Sequence, residues 1–110
     1  MSTLVSRTRG NADGPLSTAL FNGTAGIASN HAENLYIADQ VNHRIRKIDT
    51  AGNVTTVAGP GGSEPLQGWA DGPLDRCLFS YPNGIAVDAA DANIYVSELH
   101  RIRRIPLGKV

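Results

Sequence analysis

The stretch of sequence that decides the fold occurs twice in the chain. Residues 10–28 read GNADGPLSTALFNGTAGIA, and residues 68–86 read GWADGPLDRCLFSYPNGIA. Eleven of these nineteen positions are identical at an offset of 58 residues, without a gap. The similarity continues in two further pairs of segments, 34–39 with 93–98 and 43–48 with 100–105. Self-similarity at a period of this length indicates either a solenoid or a propeller.

Each copy contains short runs typical of β-strands, separated by polar links of the length that joins antiparallel neighbours in a meander. The predicted strands are Ala25–Ser29, Leu35–Ala38, Arg44–Ile48 and Val54–Ala58 in the first copy, and Gly84–Val87, Ile94–Ser97 and Arg101–Ile105 in the second. Four up-and-down strands make one blade of a propeller. The second copy has no visible fourth strand. The run 13–21 and its copy are compatible with one helical turn capped by Asp13 or Asp71.

Several of these motifs together resemble an NHL repeat. They are Gly26–Ala28, Asn34–Asp39, Asn42–Asp49 and Val54–Gly59, and the insertion Ala12–Leu16 resembles the longer variant of that family. The second copy departs from the pattern, with Glu98 in place of Asp39 and a shorter loop before His100. The resemblance implies a β-propeller, usually of six blades, and it implies no single activity.

The predicted fold is therefore all-β, with NHL-type blades of four antiparallel strands and two blades in the chain, residues 1–110 forming one unit. The expected parts are an outer strand at 4–9 that completes a neighbouring blade, a complete blade at 24–59, a three-stranded blade at 83–106, and inter-blade loops at 10–23 and 60–82. Two blades cannot curve back on themselves, and exposed strand edges favour pairing across a subunit boundary. We expect a homotrimer that forms a six-bladed ring, with a four-bladed dimer or a fragment of a longer propeller as alternatives.

Composition limits the partners. The 110 residues carry ten Lys and Arg against ten Asp and Glu, and this neutral balance argues against a nucleic-acid partner. No apolar run approaches the length of a membrane-spanning helix, and the first ten residues lack the apolar core of a signal peptide, so a cytoplasmic location is the default expectation. Cys77 is the only cysteine, which excludes an intrachain disulfide.

The long loops of a propeller of this kind share one face, and loops on a rigid scaffold are where recognition concentrates. The candidate ligand-binding residues on that face are Asp13, Gln40, Asn42, Trp69, Asp71, Tyr81 and Glu98. Asp13 and Asp71 are better explained as caps of the following turn. Trp69 is either a hydrophobic staple over the blade or an exposed recognition group.

Other polar residues recur at the same place in both copies, which favours a structural role. We predict structural ion pairs of Asp39 with Arg44 and of Glu98 with Arg101. His43 and His100 begin the third strand of each copy, where a structural histidine is expected. The basic runs at 44–47 and 101–104 raise RNA binding as an alternative, although no series of aromatic residues accompanies them.

No catalytic residue, metal site or cofactor is predicted, because the sequence has no Ser-His-Asp order, no phosphate loop and no metal-ligand cluster. The leading expectation is a non-catalytic scaffold that binds a protein, a peptide or a glycan on the long-loop face. The alternatives are a metal-assisted lyase or hydrolase formed in the assembled ring and an RNA-binding propeller.

Overall fold

The computed structural model describes residues 4, 9–59, 79–98 and 100–107. Within these residues the chain is all-β, contains no helix, and forms two antiparallel sheets. The strands are β1 (Gly14–Pro15), β2 (Thr24–Ser29), β3 (Leu35–Asp39), β4 (Arg44–Ile48), β5 (Asn53–Ala58), β6 (Pro82–Val87), β7 (Asn93–Glu98) and β8 (Arg101–Pro106). The first sheet has the order β1-β5-β4-β3-β2 and the second has β6-β7-β8. Among the described residues, no helix is long and apolar enough to cross a membrane.

The seven strands predicted from the two copies are all present, most of them longer by one or two residues at an end. The copies also share their pairing registers. Asp39 pairs with Arg44 across β3 and β4, and Glu98 pairs with Arg101 across β7 and β8. The same irregularity interrupts the first strand pair of each copy, between Thr24 and Ile27 and between Pro82 and Ile85. The repeat in sequence is thus a repeat in structure, consistent with neighbouring propeller-like blades.

Strand β1 was not expected from the sequence, because residues 10–23 are predicted as an inter-blade loop. Gly14 and Pro15 pair with Val54 and Asn53 on the outer edge of β5, so the first sheet has five strands. Gly14 has a φ of 131°, which favours glycine. Pro15 has no N–H group, so it fits only at a sheet edge.

Four sequence predictions lie wholly or partly outside the described residues. The outer strand expected at 4–9 includes only two described positions, and of the loop at 60–82 only the last four residues are described. Trp69 and Asp71, two of the candidate ligand-binding residues, belong to the part of this loop that is not described.

The main core lies where the two sheets face each other, and we call this contact the inner interface. It contains buried side chains from both sheets: Tyr36, Ala38, Ile45 and Ala58 from the first, and Phe79, Ile94, Val96 and Ile105 from the second and the segment before it. Burial of these apolar side chains supplies most of the energy that holds the sheets together. At Gly26 on β2, an added Cβ would lie 2.4 Å from the backbone oxygen of Asn83. The inner strands of the two sheets therefore approach each other closely.

A second cluster covers the opposite face of the first sheet. Ile37, Ile48 and Val54 point to that face and pack with Ala19, together with the partly buried Leu16, Phe21 and Leu35. The segment 16–21 thus lies against the outer part of the sheet that follows it in sequence. Consequently, the connection predicted as a loop is an integral part of the first sheet.

Candidate functional site

The candidate site lies at one end of the sheets, where the β3–β4 connection meets the segments before β2 and β6. We call this region the loop end; it comprises residues 10–13, 20–23, 40–43 and 79–81. The Asn42 Nδ2 atom donates to the Gly10 carbonyl at 2.7 Å, and the Tyr81 backbone N–H donates to His43 Nδ1 at 3.1 Å. These contacts join three segments that are far apart in sequence, and one of them crosses from the first sheet to the second.

Asp39, the last residue of β3, organises the first half of the loop end. Its carboxylate is fully buried and accepts hydrogen bonds from the Asn22 backbone N–H at 2.8 Å, from Asn42 Nδ2 at 2.8 Å, and from Arg46 Nη1 at 2.7 Å. A buried carboxylate is tolerated only when its oxygens are satisfied in this way. Asp39 therefore fixes the positions of the loops on either side of it.

Arg46 on β4 is the second organising residue, and it too is fully buried. Its Nη2 atom donates to the Ala12 carbonyl at 2.7 Å and to Asp13 Oδ1 at 2.9 Å, and its Nη1 atom donates to the Leu20 carbonyl at 2.9 Å. The guanidinium also lies over the Phe21 ring, 4.7 Å from its centroid, a cation–π contact. Arg46 thus holds segment 12–21 onto the sheet.

The second copy repeats this arrangement. Arg103 forms an ion pair with the buried Glu98 and lies 4.9 Å from the centroid of the Phe79 ring. The Ser80 backbone N–H donates to the other Glu98 oxygen. The sequence predicts Arg44 and Arg101 as partners of these two carboxylates; Arg46 and Arg103 are partners that it did not predict.

A signal for these partners was present in the sequence. Side chains alternate along a strand, so Arg46 lies on the same face of β4 as Arg44, which pairs with Asp39 in the ladder. A basic residue recurs at this second position in the other copy, as Arg103. A basic residue thus recurs at the first and at the third position of this strand in both copies, and the third position holds the arginine that binds segment 12–21.

The structure separates the predicted ligand-binding residues into two groups. Asn42 and Glu98 are buried and fully engaged with neighbouring segments. Asp13 does not cap the following turn; its carboxylate binds Arg46 and also accepts from the Thr56 backbone N–H at 3.2 Å. Gln40 and Tyr81 remain at least partly accessible to solvent.

Tyr81 is the most exposed aromatic group of the loop end, with 45% of its surface accessible. Its ring meets the edge of the His43 ring at a centroid distance of 4.6 Å and an interplanar angle of 82°. The backbone has a φ of 51° at Tyr81, an uncommon value for a non-glycine residue, directly before β6. Val41 is exposed on the neighbouring connection. Gln40, Val41 and Tyr81 thus give the loop end both apolar and polar groups that solvent reaches.

Burial lowers the pKa of His43, and the nearby Arg44 guanidinium lowers it further, whereas Glu98 acts in the opposite direction. The imidazole is therefore neutral near pH 7, and a neutral Nδ1 can accept the Tyr81 N–H. Protonation would turn this acceptor into a donor. The hydrogen bond that holds the Tyr81 backbone thus depends on the charge state of His43.

We expect His43 to make the protein less stable in mild acid. Its pKa in the folded chain lies below the ordinary value of about 6.5, so below that pH the unfolded chain binds a proton that the folded chain does not. The free energy of unfolding should then fall as the pH falls, by at most about 1.4 kcal/mol per pH unit for one proton. Urea unfolding between about pH 5 and pH 8 measures this slope. The slope should be smaller in His43→Gln, which retains His31 and His100, and equal slopes would contradict the assignment.

Within the described part of the chain, no group of three His, Cys, Asp or Glu side chains is placed to hold a metal ion. Arg44, Arg46 and Arg103, which belong to the two basic runs, are buried and face the protein interior. These three side chains therefore do not contribute to a phosphate-binding surface, while Arg101 and Arg104 are exposed.

Comparison with known proteins finds similarity only among solved structures. No protein-family model matches the chain, and no curated protein matches it. A protein of unknown function from Bacteroides thetaiotaomicron superposes with a TM-score of 0.79 at 28% identity over 88% of this chain and 24% of its own. An auxiliary nutrient binding protein from Bacteroides ovatus gives 0.79 at 29% identity over 92% of this chain and 27% of its own.

A third structure, from B. thetaiotaomicron, is named as a possible phosphatase and gives a TM-score of 0.78 at 26% identity, over 93% of this chain and 25% of its own. The chain thus spans about a quarter of the length of each structure it resembles.

Proposed function

We propose that the chain is a binding module of the NHL-type propeller class, and that its loop end recognises a protein, a peptide or a glycan. The observation that carries this proposal is the outward-facing Tyr81 ring, seated on a buried histidine at the junction of the two sheets. Similarity to an auxiliary nutrient binding protein supports a binding role.

The loop end has the construction of a recognition site. The loops rest on a buried network centred on Asp39 and Arg46, so they lose little conformational entropy when a ligand binds. Exposed Tyr81 and Val41 supply apolar contact area, and Gln40 supplies an amide that donates and accepts hydrogen bonds. Aromatic rings beside amide groups suit the faces of sugar rings and peptide segments, and Tyr is among the residues that contribute most to binding energy.

The proposal is tested with a glycan microarray and a random-peptide display library, both probed with the purified chain. For any glycan or peptide retained by the wild type, Tyr81→Ala should weaken binding by about tenfold or more, the loss of a central aromatic contact. The matched control is His31→Ala, which removes an exposed ring at the opposite end of the sheets. Equal weakening by both variants, or no retention from either collection, contradicts the proposal.

A hydrolase is the second candidate, supported by the structure named as a possible phosphatase. This alternative requires a metal or a nucleophile at the loop end. Release of nitrophenol from p-nitrophenyl phosphate, together with a stoichiometric metal in the purified chain, would favour it over the binding module. An absence of turnover with and without added divalent ions would count against it.

A further inference from the structure

The backbone at Tyr81 has a counterpart in the first copy, and the two positions differ in residue type. Tyr81 aligns with Gly23 at the offset of 58 residues, and each lies directly before the first strand of its own copy. Both have a positive φ, 65° at Gly23 and 51° at Tyr81. Glycine adopts this conformation freely, whereas a residue with a Cβ atom is strained in it. Tyr81 therefore occupies a position that glycine fills without strain.

A difference in loop length accompanies this difference in residue type. At Gly23, an added Cβ would lie 2.7 Å from Cγ2 of Val41, on the connection between β3 and β4. The connection between β7 and β8 is two residues shorter, and Val41 has no counterpart there at the spacing of either flanking strand. The side chain that would crowd a Cβ at position 23 is thus specific to the first copy, and tyrosine replaces glycine in the copy without it.

His43 holds Tyr81 in this strained conformation. The Tyr81 N–H donates to Nδ1 of the buried His43 imidazole at 3.1 Å, and the two rings meet edge to face at 4.6 Å. A ring nitrogen that accepts from a backbone N–H carries no proton, so this bond exists only while the imidazole is neutral. Strained residues persist where their surroundings fix them. The conformation at Tyr81 thus depends on a group of the type that titrates in mild acid.

We propose that the loop end is an acid-operated switch, in which protonation of His43 releases Tyr81 and, with it, a ligand bound to the tyrosine ring. A proton from solvent converts the Nδ1 acceptor into a donor that faces the Tyr81 N–H, and their hydrogen bond is lost. The Tyr81 backbone then relaxes to the negative φ that its side chain favours. The release of the ligand rests on the proposed function, whereas the release of Tyr81 does not.

Charged residues on two strands affect the pH range of the switch. Among the described residues, the charges that act on His43 are Arg44 at the start of β4 and Glu98 at the end of β7. Burial and Arg44 lower the pKa of His43, and Glu98, which is paired with Arg103, raises it. Burial is the largest of these effects, so we expect release below the ordinary histidine value of about 6.5.

The first test needs no ligand, because heteronuclear NMR follows the Tyr81 amide in the free chain. Between about pH 8 and about pH 5, its resonance should follow the titration of the His43 ring, and its protection from hydrogen exchange should fall by about tenfold or more. The control is the Asn22 amide, which donates to the Asp39 carboxylate in the same loop end and should stay protected. A Tyr81 amide that stays protected while His43 titrates, or a His43 ring that stays neutral throughout, overturns the proposal.

The variant His43→Asn shows whether the imidazole is the cause. Its side-chain oxygen can accept the Tyr81 N–H in place of Nδ1, and it does not titrate. Tyr81 should therefore keep its protection in this variant at both ends of the pH range. Equal loss of protection in the wild type and the variant would assign the change to another titrating group and overturn the proposal. If His43→Asn does not fold, the agreement between the Tyr81 and His43 titrations in the wild type decides.

The strain at Tyr81 is measured separately, by comparing the stabilities of Tyr81→Gly and Tyr81→Ala. Both variants remove the ring and its contact with His43, so the comparison isolates the cost of a Cβ atom at positive φ. The folding equilibrium constant of the glycine variant should be about five times that of the alanine variant. Equal constants would mean that no strain drives the release, which also overturns the proposal.

The second test repeats the glycan microarray and the peptide library at about pH 7.5 and at about pH 5.5. For a glycan or peptide retained at the higher pH, the dissociation constant should be about tenfold larger at the lower pH, and His43→Asn should remove most of this ratio. Equal affinity at the two pH values overturns the switch and leaves the binding function in place. If neither collection yields a ligand, the binding function fails, and the Tyr81 amide alone decides whether the switch exists.

Discussion

Replacing Arg46 with Met should lower the free energy of unfolding by about 3–5 kcal/mol, the range for removing one partner of a buried ion pair. The substitution removes from the fully buried Asp39 carboxylate the guanidinium that forms an ion pair with it at 2.7 Å. It also leaves the carbonyl groups of Ala12 and Leu20 without the donors that hold them to the sheet. Methionine has a similar length, so packing against Phe21 is largely retained. Urea unfolding followed by circular dichroism measures the loss.

Two further variants show whether the charge is the cause. Lys47→Met changes the next residue of β4, which points to the other face, and should alter stability by less than about 0.5 kcal/mol. Adding Asp39→Asn to Arg46→Met removes the carboxylate that has lost Arg46 and should restore part of the stability, because the effects of substitutions at contacting residues are not additive. If the double variant is as unstable as the sum of the single ones, the ion pair is not the source of the loss.

The second large effect is expected at Gly26, where alanine should destabilise the chain by about 2–3 kcal/mol, the upper range for overpacking. The new methyl group would lie 2.4 Å from the backbone oxygen of Asn83 and 3.2 Å from Ile85 Cγ2. A side chain can rotate away from such a contact, but the backbone of β6 can move only if the two sheets separate. The cost therefore falls on the inner interface, and the same unfolding experiment measures it.

Gly84→Ala is the matched control, because it makes the same change at the equivalent position of the second copy. Its added Cβ meets the Ser97 hydroxyl at 2.8 Å, and a serine side chain can change rotamer, at the cost of the hydrogen bond that the Gly84 N–H donates to this hydroxyl at 2.9 Å. We expect a loss below about 1 kcal/mol. Both variants are measured at the same low protein concentration, so that association between chains does not distinguish them. Equal losses at Gly26 and Gly84 would show that the inner interface does not impose the constraint.

The repeat and the strands could be predicted from the sequence because they depend on local patterns. Alternation of apolar residues and short polar links locates strands such as β3 and β4, and the duplicated motif shows that they occur twice. The same alternation, polar links and duplicated motif predict the all-β architecture with two antiparallel sheets. The predicted assembly stays a prediction, since it depends on surfaces between molecules.

The features that sequence reasoning missed are non-local. β1 pairs residues 14–15 with residues 53–54. A strand of two residues is too short to show a periodic pattern from which this contact could be predicted. Arg46 was not predicted as a partner of Asp39, because the prediction considered only Arg44, the residue opposite Asp39 in the ladder, and Arg46 lies two residues further along the same strand face. The exposure of Tyr81 depends on its contact with His43 of the first sheet, and this contact forms only when the two sheets pack together.

The outer edge of the first sheet has a consequence for solubility. A free strand edge offers unpaired N–H and C=O groups to any other extended chain and so promotes aggregation. Here β1 covers Asn53 and Val54 of β5, and the next outward N–H group, that of Thr56, is bonded to Asp13. Pro15 cannot donate to an incoming strand. An incoming strand therefore meets paired groups at residues 53, 54 and 56 of this edge, and Asp13 and Pro15 occupy the place where that strand would add.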